Sequence, residues 1–419
     1  MRILSLQSGT SVDGIDAAIV DIDADDDSPT PSLTLTPLHA RTSAWPPALR
    51  ARVLSLAEGA LVDARELCVL NTLVGQQFAR AAAEALAEAG TAVHLVVSHG
   101  QTAYHWVDEG RARGTLQLGE ASWIAEAAGA PVLCNLRAAD VAAGGEGAPL
   151  MGVFDRAWLA ATDLGSTATL NLGGIANLSL VAEGRVLAWD TGPGNALIDA
   201  AIARATAATT TEAYDRNGRR AAAGRVQQSL LDALLTHPFL ARSAPKSTGR
   251  ETFDLGFVDA AAERLDLQPS LNDLVATLTR YTARTVANSL AAEAPALPAR
   301  VIASGGGVHN PVLLKDLRDE LARLGVALDS SALHGIDPNF KESLMFALLG
   351  FLSWHGVPCE LPGTRPGTAR LAGQLVFGPN GLARPGDLGA GRLTGIRSLR
   401  VLQVAAARAS PAHAPVDAR

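Results

Sequence analysis

Ser8-Gly9-Thr10-Ser11-Val12-Asp13-Gly14-Ile15-Asp16, eight positions into the chain, has the residue types and spacing for phosphate chemistry. A turn of Gly, Thr and Ser presents backbone N–H groups and hydroxyls, all donors suited to phosphate oxygens. Asp13 and Asp16 add carboxylates able to hold a water of a Mg²⁺ shell, because Mg²⁺ takes oxygen ligands and keeps several waters. An ordinary Gly/Ser/Asp hairpin turn has the same composition. Recurrence separates the two readings. Similar turns follow at Gly173-Gly174-Ile175-Ala176-Asn177, Asp190-Thr191-Gly192-Pro193-Gly194-Asn195 and Ser304-Gly305-Gly306-Gly307-Val308-His309-Asn310.

The elements that must position these turns alternate between strand and helix patterns. Apolar runs at 3–6 and 17–22 flank the first turn, which predicts a β-hairpin. Residues 24–35 read as a polar turn between two strand candidates, and 47–90 as helical, with Leu, Val and Phe recurring at three and four residues. Further strands are predicted at 94–97, 131–134, 167–172, 178–181, 186–189 and 300–303. Helices are predicted from 196 and over 271–293, 311–324 and 342–350. This alternation argues for α/β architecture. One phosphate-type hairpin in each half, with a triple-Gly turn opening a late helix, predicts two lobes facing a cleft. The first two turns would grip phosphates from opposite sides. The third would let a nucleoside lie against glycine backbone, where a side chain would block it.

The chain of 419 residues has room for two domains, and 48% hydrophobic with 18% charged residues supplies their cores. A net charge of −7 and a pI near 5.7 argue against a nucleic-acid surface, which needs a basic stripe. Cys68, Cys134 and Cys359 are far apart in apolar surroundings, which predicts reduced core thiols of a cytoplasmic protein. The start of the chain reads as a strand rather than a signal peptide, and no apolar run reaches the roughly 18 residues of a membrane span. Neither nucleic acid nor membrane is expected as a partner. Lys246-Ser247-Thr248-Gly249-Arg250 superficially suggests a P-loop, but the GxxxxGK[ST] pattern is missing.

Taken together, these segments resemble the anhydro-N-acetylmuramic acid kinases of the sugar kinase/Hsp70/actin ATPase superfamily. The resemblance rests on the four turns above and on Ser98-His99-Gly100-Gln101-Thr102, Asp140-Val141-Ala142-Ala143-Gly144-Gly145 and Gly147-Ala148-Pro149-Leu150. It continues through Pro245-Lys246-Ser247-Thr248-Gly249-Arg250-Glu251 and Ala276-Thr277-Leu278-Thr279, in family order over about residues 3–380. It implies a two-lobed actin-like ATPase (ribonuclease H-like) fold with an interlobe cleft. The activity implied is ATP- and Mg²⁺-dependent: water opens the 1,6-anhydro bond of 1,6-anhydro-N-acetylmuramic acid and O6 is phosphorylated. The products are N-acetylmuramic acid 6-phosphate and ADP, in peptidoglycan recycling.

Roles follow residue by residue. Asp190 matches the family's general base; a carboxylate capping the helix from 196 would sit closer to it. Gly9, Thr10, Ser11, Val12, Asp13, Gly14, Ile15 and Asp16 match the ATP-phosphate turn, with Asp13 the water-mediated Mg²⁺ contact. Asp16 reads equally as a structural hairpin residue. Arg137 and Glu342 are assigned to the sugar, since an Arg fork suits the lactyl carboxylate of a muramic acid. Glu342 also reads as a charge complementing a helix N-terminus. His99 and Gln101 stay outside the catalytic set, because a packed histidine bonded to backbone explains the pattern equally.

The expected division is an N-terminal lobe of residues 1–131 with a return over 355–386, a second lobe of 132–354 and a disordered tail of 387–419. The resemblance also admits a homodimer. Ser5 and Gln7 stand where the family usually has Gly and Met, Asn135-Leu136 where it has Asp-Phe, and Glu146 where it has Gln. Gly363-Thr364-Arg365-Pro366-Gly367 lacks a usual Thr-Gly-Ala. None of these removes Asp190 or the first turn. The competing readings are another sugar kinase of the superfamily and a catalytically silent ATP- or muropeptide-binding sensor.

Overall fold

The first strands form a meander because short apolar runs are separated by turns of small and polar residues. β1 (Arg2–Ser8), β2 (Ile15–Ala24) and β3 (Ser32–Ser43) pair antiparallel. β4 (Leu95–Asp108) lies parallel on the other side of β1, carries β5 (Arg111–Leu118) as an antiparallel hairpin partner, and is followed by parallel β6 (Val132–Cys134). The computed structural model describes residues 1–9, 11–25, 28, 30–108, 111–162, 164–182, 185–206, 214–244, 246–248, 252–360, 369–380 and 395–402. Thr10, Gly249, Arg250 and the segment 363–367 therefore lie outside the described residues.

A second sheet repeats this plan. β7 (Thr167–Leu172), β8 (Ile175–Ala182) and β9 (Arg185–Pro193) form an antiparallel meander, and β10 (Arg300–Ser304) and β11 (Ala327–Ser330) run parallel to β7. The orders β3-β2-β1-β4-β6 and β9-β8-β7-β10-β11 are the same arrangement: a meander followed by parallel strands beside its first member. That is the ribonuclease H-like sheet occurring twice, the actin-like ATPase architecture expected from the sequence. β12 (Gln374–Val376) adds to β6, and β13 (Ser398–Val401) pairs parallel with β3.

Helices cover both faces of the first sheet. α1 (Pro47–Ala57), α2 (Ala64–Ala89) and α3 (Ala121–Ala128) cover one face. Asp63 starts α2 by accepting from the Glu66 N–H at 2.8 Å, and Leu70, Val74, Phe78 and Ala82 line its buried face. α4 (Ala138–Ala142) is short, and α5 (Met151–Leu159) belongs to the core on the opposite face. In the second half come α6 (Ala196–Thr206), α7 (Arg219–Ala223), α8 (Gln228–Leu234) and α9 (Leu255–Arg264). They pack with α10 (Leu271–Glu293), which lies with α11 (Pro311–Ala322) against the second sheet. α12 (Lys341–Trp354) is almost wholly apolar and buried.

Three expectations change. β6 and α12 fall within the span 132–354 assigned to the second lobe, yet β6 hydrogen-bonds in the first sheet and α12 packs on β1, β2 and β4. Burial of the α12 face against Ile3, Leu95 and Val97 outweighs its position in the chain. Within the expected tail 387–419, β13 is ordered, because Leu399 is fully buried and the strand completes the edge of β3. Of the three thiols expected in the core, Cys359 is buried, Cys134 half-buried and Cys68 exposed. No described helix is long and apolar enough to cross a membrane.

Candidate active site

Asp190 lies inside β9, the edge strand of the second sheet. Its neighbour Trp189 is fully buried and donates from Nε1 to Ser289 Oγ on α10 at 2.8 Å, which fixes the strand against the helix. The segment 246–248 runs along that edge, and the Asp190 N–H donates to the Lys246 carbonyl at 2.9 Å. Lys246 anchors the segment from beneath. Its ammonium donates to the carbonyls of Leu240 and Arg242 and lies 3.8 Å from Glu293. It is a buried structural cation, not a phosphate ligand.

The same segment grips the Asp190 carboxylate. Ser247 Oγ and the Thr248 N–H both donate to Oδ2, at 3.0 and 2.8 Å. Oδ1 makes no hydrogen bond to a described residue. Burial pushes the carboxyl up to about 6, and the two donors oppose that rise by favouring the ionised form. Asp190 therefore does not cap α6, which begins at Ala196.

Around this carboxylate the glycine turns of the second sheet interlock. The N–H groups of Gly194 and Asn195 donate to the carbonyls of Gly174 and Gly173 at 2.8 and 2.9 Å. A Cβ on Gly194 would lie 2.2 Å from the Gly173 carbonyl, so only glycine allows this approach. The triple-Gly turn leaves β10 beside the end of β7. A Cβ built on Gly306 meets no described residue within 4 Å, so this glycine borders space where a ligand can approach the backbone.

The first-sheet turn is tied down from outside. Val12 adopts φ +49° and its N–H donates to the Gly9 carbonyl at 3.0 Å. Arg50 donates to the carbonyls of Val12 and Ser11 at 2.6 and 3.2 Å, and Gln101 donates to the Gly9 carbonyl at 3.3 Å. Asp13 is exposed at the tip. Asp16 instead accepts from Thr42 at 2.6 Å and Gln7 at 3.4 Å. Burial pushes Asp16 up to about 6, with Asp13 and Glu342 adding to the rise. Of the two carboxylates, Asp13 is the one without a side-chain hydrogen bond among the described residues.

Glu342, in the first turn of α12, sits in this same charged group. Burial raises its carboxyl, while Arg137, Gln7 and Lys341 oppose the rise. Arg137 donates from Nη1 to the Gly147 carbonyl at 2.8 Å and from Nε to His99 Nε2 at 2.9 Å. The Gly147 N–H in turn donates to Asp140 at 2.7 Å, and Glu146 accepts from the Ala112 N–H at 3.0 Å. So Gln7 and Glu146, both departures from the family pattern, have structural contacts here.

Asp13, Asp16, Arg137 and Glu342 thus gather on the first sheet's side, and Asp190 lies on the second sheet. No hydrogen bond or ion pair among the described residues joins the two groups. Ser247 and Thr248 were not singled out from the sequence as partners of Asp190. They are 57 and 58 positions away from it; the ordered family motifs and a superficial P-loop likeness mark their segment, and neither points to Asp190.

A family model for anhydro-N-acetylmuramic acid kinase matches residues 1–375. The anhydro-N-acetylmuramic acid kinase of Streptomyces coelicolor is 45% identical, over 93% of this chain and 97% of the relative. That of Rhodococcus erythropolis is also 45% identical, over 92% and 96%, and that of Xanthomonas campestris pv. campestris is 43% identical, over 89% and 96%. On that match, with the duplicated ribonuclease H-like sheets, the chain is a sugar kinase belonging to the anhydro-N-acetylmuramic acid kinase family.

Proposed function

We propose that this enzyme uses ATP and water to convert 1,6-anhydro-N-acetylmuramic acid to N-acetylmuramic acid 6-phosphate and ADP, in peptidoglycan recycling in the cytoplasm. The observation that carries the reading is the Asp190 carboxylate, with Oδ2 held by Ser247 and Thr248 and Oδ1 bonded to no described residue. In the reaction, a water oxygen bonds to C1 and its proton passes to Asp190 Oδ1. The C1–O6 bond breaks as O6 takes the γ-phosphoryl group, and ADP leaves. A base poised near 6 is ionised at neutral pH and still accepts a proton.

The residues fit a nucleotide and its Mg²⁺. Gly9, Ser11 and the backbone of the first turn would donate to phosphate oxygens, with Thr10 in the same stretch. Among the described residues a Cβ on Gly9 would meet only Ser11 Oγ, at 3.6 Å, so the approach is open. Gly173 and Gly174 would face the phosphates from the second sheet, and Gly306 would let the nucleoside lie on its backbone. Exposed Asp13 would hold a water of the Mg²⁺ shell, and Mg²⁺ supplies charge neutralisation for the transferring phosphoryl group. Arg137 and Glu342 would bind the sugar, Arg137 through its lactyl carboxylate. The lobes, here taken to divide with the two sheets, would close so that water attacks the sugar and not ATP.

The test is product analysis by mass spectrometry with 1,6-anhydro-N-acetylmuramic acid, ATP, Mg²⁺ and ¹⁸O-water. The expected product is a sugar 6-phosphate carrying ¹⁸O at C1. A phosphorylated sugar without ¹⁸O would mean a kinase that uses a sugar hydroxyl. Label found only in free phosphate would mean simple ATP hydrolysis.

A further inference from the structure

The pairing of β4 with β1 departs from regular register at one place. The register slips between Leu6↔Ser98 and Gln7↔Gly100, leaving His99 as the extra residue of a bulge. Gly100 makes the slip possible. Its φ is +70°, and a Cβ there would lie 2.5 Å from the Leu118 carbonyl. The bulge delivers the His99 ring into the core, 4.8 Å from the Phe346 ring of α12 and 6% exposed.

The ring's two contacts fix its tautomer. Nδ1 lies 3.1 Å from the Gly100 carbonyl, which can only accept, so Nδ1 carries the proton. Nε2 is then a lone pair, and it accepts the Arg137 Nε–H at 2.9 Å. Burial, with Arg137 alongside, pushes the imidazole down to about 3, so it stays neutral throughout the physiological range. Arg137 is left with Nε and Nη1 committed to His99 and Gly147, and Nη2 without a partner among the described residues. The guanidinium plane is set by two fixed acceptors, and one corner remains for a ligand.

Building on the reading above, we infer that His99 is a specificity-determining positioning residue: as a neutral acceptor it orients Arg137 so that Nη2 meets the carboxylate of an acidic anhydro sugar. It touches no reacting atom. Without it, Arg137 keeps its charge but loses a preset direction, and a guanidinium discriminates by geometry as much as by charge.

The test compares kcat and KM for 1,6-anhydro-N-acetylmuramic acid and for 1,6-anhydro-N-acetylglucosamine, which lacks the lactyl carboxylate. Wild type, His99→Leu, His99→Asn and His99→Gln are assayed, with a melting curve showing that each is folded. Wild type is expected to prefer the acidic sugar. His99→Leu is expected to lose about 10-fold of that preference, mostly through KM for the acidic sugar, the scale of one hydrogen bond to a charged group. His99→Gln, whose amide oxygen can accept the Nε–H, is expected to restore most of it. Should the Leu variant not fold, His99→Asn, polar but too short to reach, is held to the same expectation. A folded Leu or Asn variant with an unchanged preference, or equal losses on both sugars, overturns the inference. Wild type that phosphorylates neither sugar overturns the functional reading and this inference with it.

Discussion

Lys341 Nζ lies 2.6 Å from Asp155 Oδ1, with the two side chains 2% and 0% exposed. The pair joins the first turn of α12, which packs on the first sheet, to α5, which also packs on β8 and β9 of the second. Thr169 of β7 donates to the other Asp155 oxygen, and the ammonium lies 5.5 Å from the centre of the Trp158 ring. A buried pair of this kind costs little only while both partners are present. Asp155→Ala is therefore expected to lower the unfolding free energy by about 3–5 kcal/mol, measured by urea denaturation. The double variant Asp155→Leu/Lys341→Met should recover most of it. Equal destabilisation by both would show that the cost is lost packing and not the unpaired charge.

Asp190→Asn keeps the shape and both donated hydrogen bonds but cannot take a proton. Turnover is expected to fall about 10²-fold or more, with KM little changed, in steady-state assays of ADP release. A folded variant with near-normal kcat would remove Asp190 from the role, and Glu342 would be the next carboxylate to substitute.

The Asp190 carboxyl, raised to about 6, also fixes the direction of two pH effects. As a base it works only when ionised, so kcat is expected to fall as pH drops through about 6. Ser247→Ala removes a donor that favours the ionised form, so the acid limb of that profile should move to higher pH. For stability the sign is opposite. The folded protein holds this proton more tightly than the unfolded chain, so the group's contribution is fullest below about 4 and is lost as pH rises through about 6. Asp190→Asn should therefore melt above wild type at pH 7 and lose that advantage near pH 4. A constant difference in melting temperature would contradict it.

Nucleotide contact can be tested without disturbing the fold. A Cβ on Gly306 meets open space, so Gly306→Ala should melt like wild type yet weaken ATP binding by about 10-fold in titration calorimetry, by crowding the backbone a ligand must approach. Gly9→Val should act in the same direction at the phosphates, and exposed Asp13→Asn should chiefly raise the Mg²⁺ concentration needed for half-maximal activity. Unchanged affinity and Mg²⁺ dependence in folded variants would return these turns to an ordinary structural role.

Features that depend on near neighbours were legible in the order of residues alone. Alternating apolar runs and small-residue turns marked both meanders. The helix over about 271–293 was legible because its apolar period is local, and the structure adds the Ser270 cap. The ordered turns also marked the family and Asp190. What pairs with what across long stretches of chain emerged with the folded arrangement. Nothing local says that Ser247 donates to a carboxylate 57 positions earlier, or that a bulge turns His99 onto Arg137, 38 positions on. The placement of α12 on the first sheet and the return of β13 beside β3 were equally hidden. Turn chemistry and periodicity are fixed by a few adjacent residues, whereas these contacts exist only once distant apolar faces have been buried against one another.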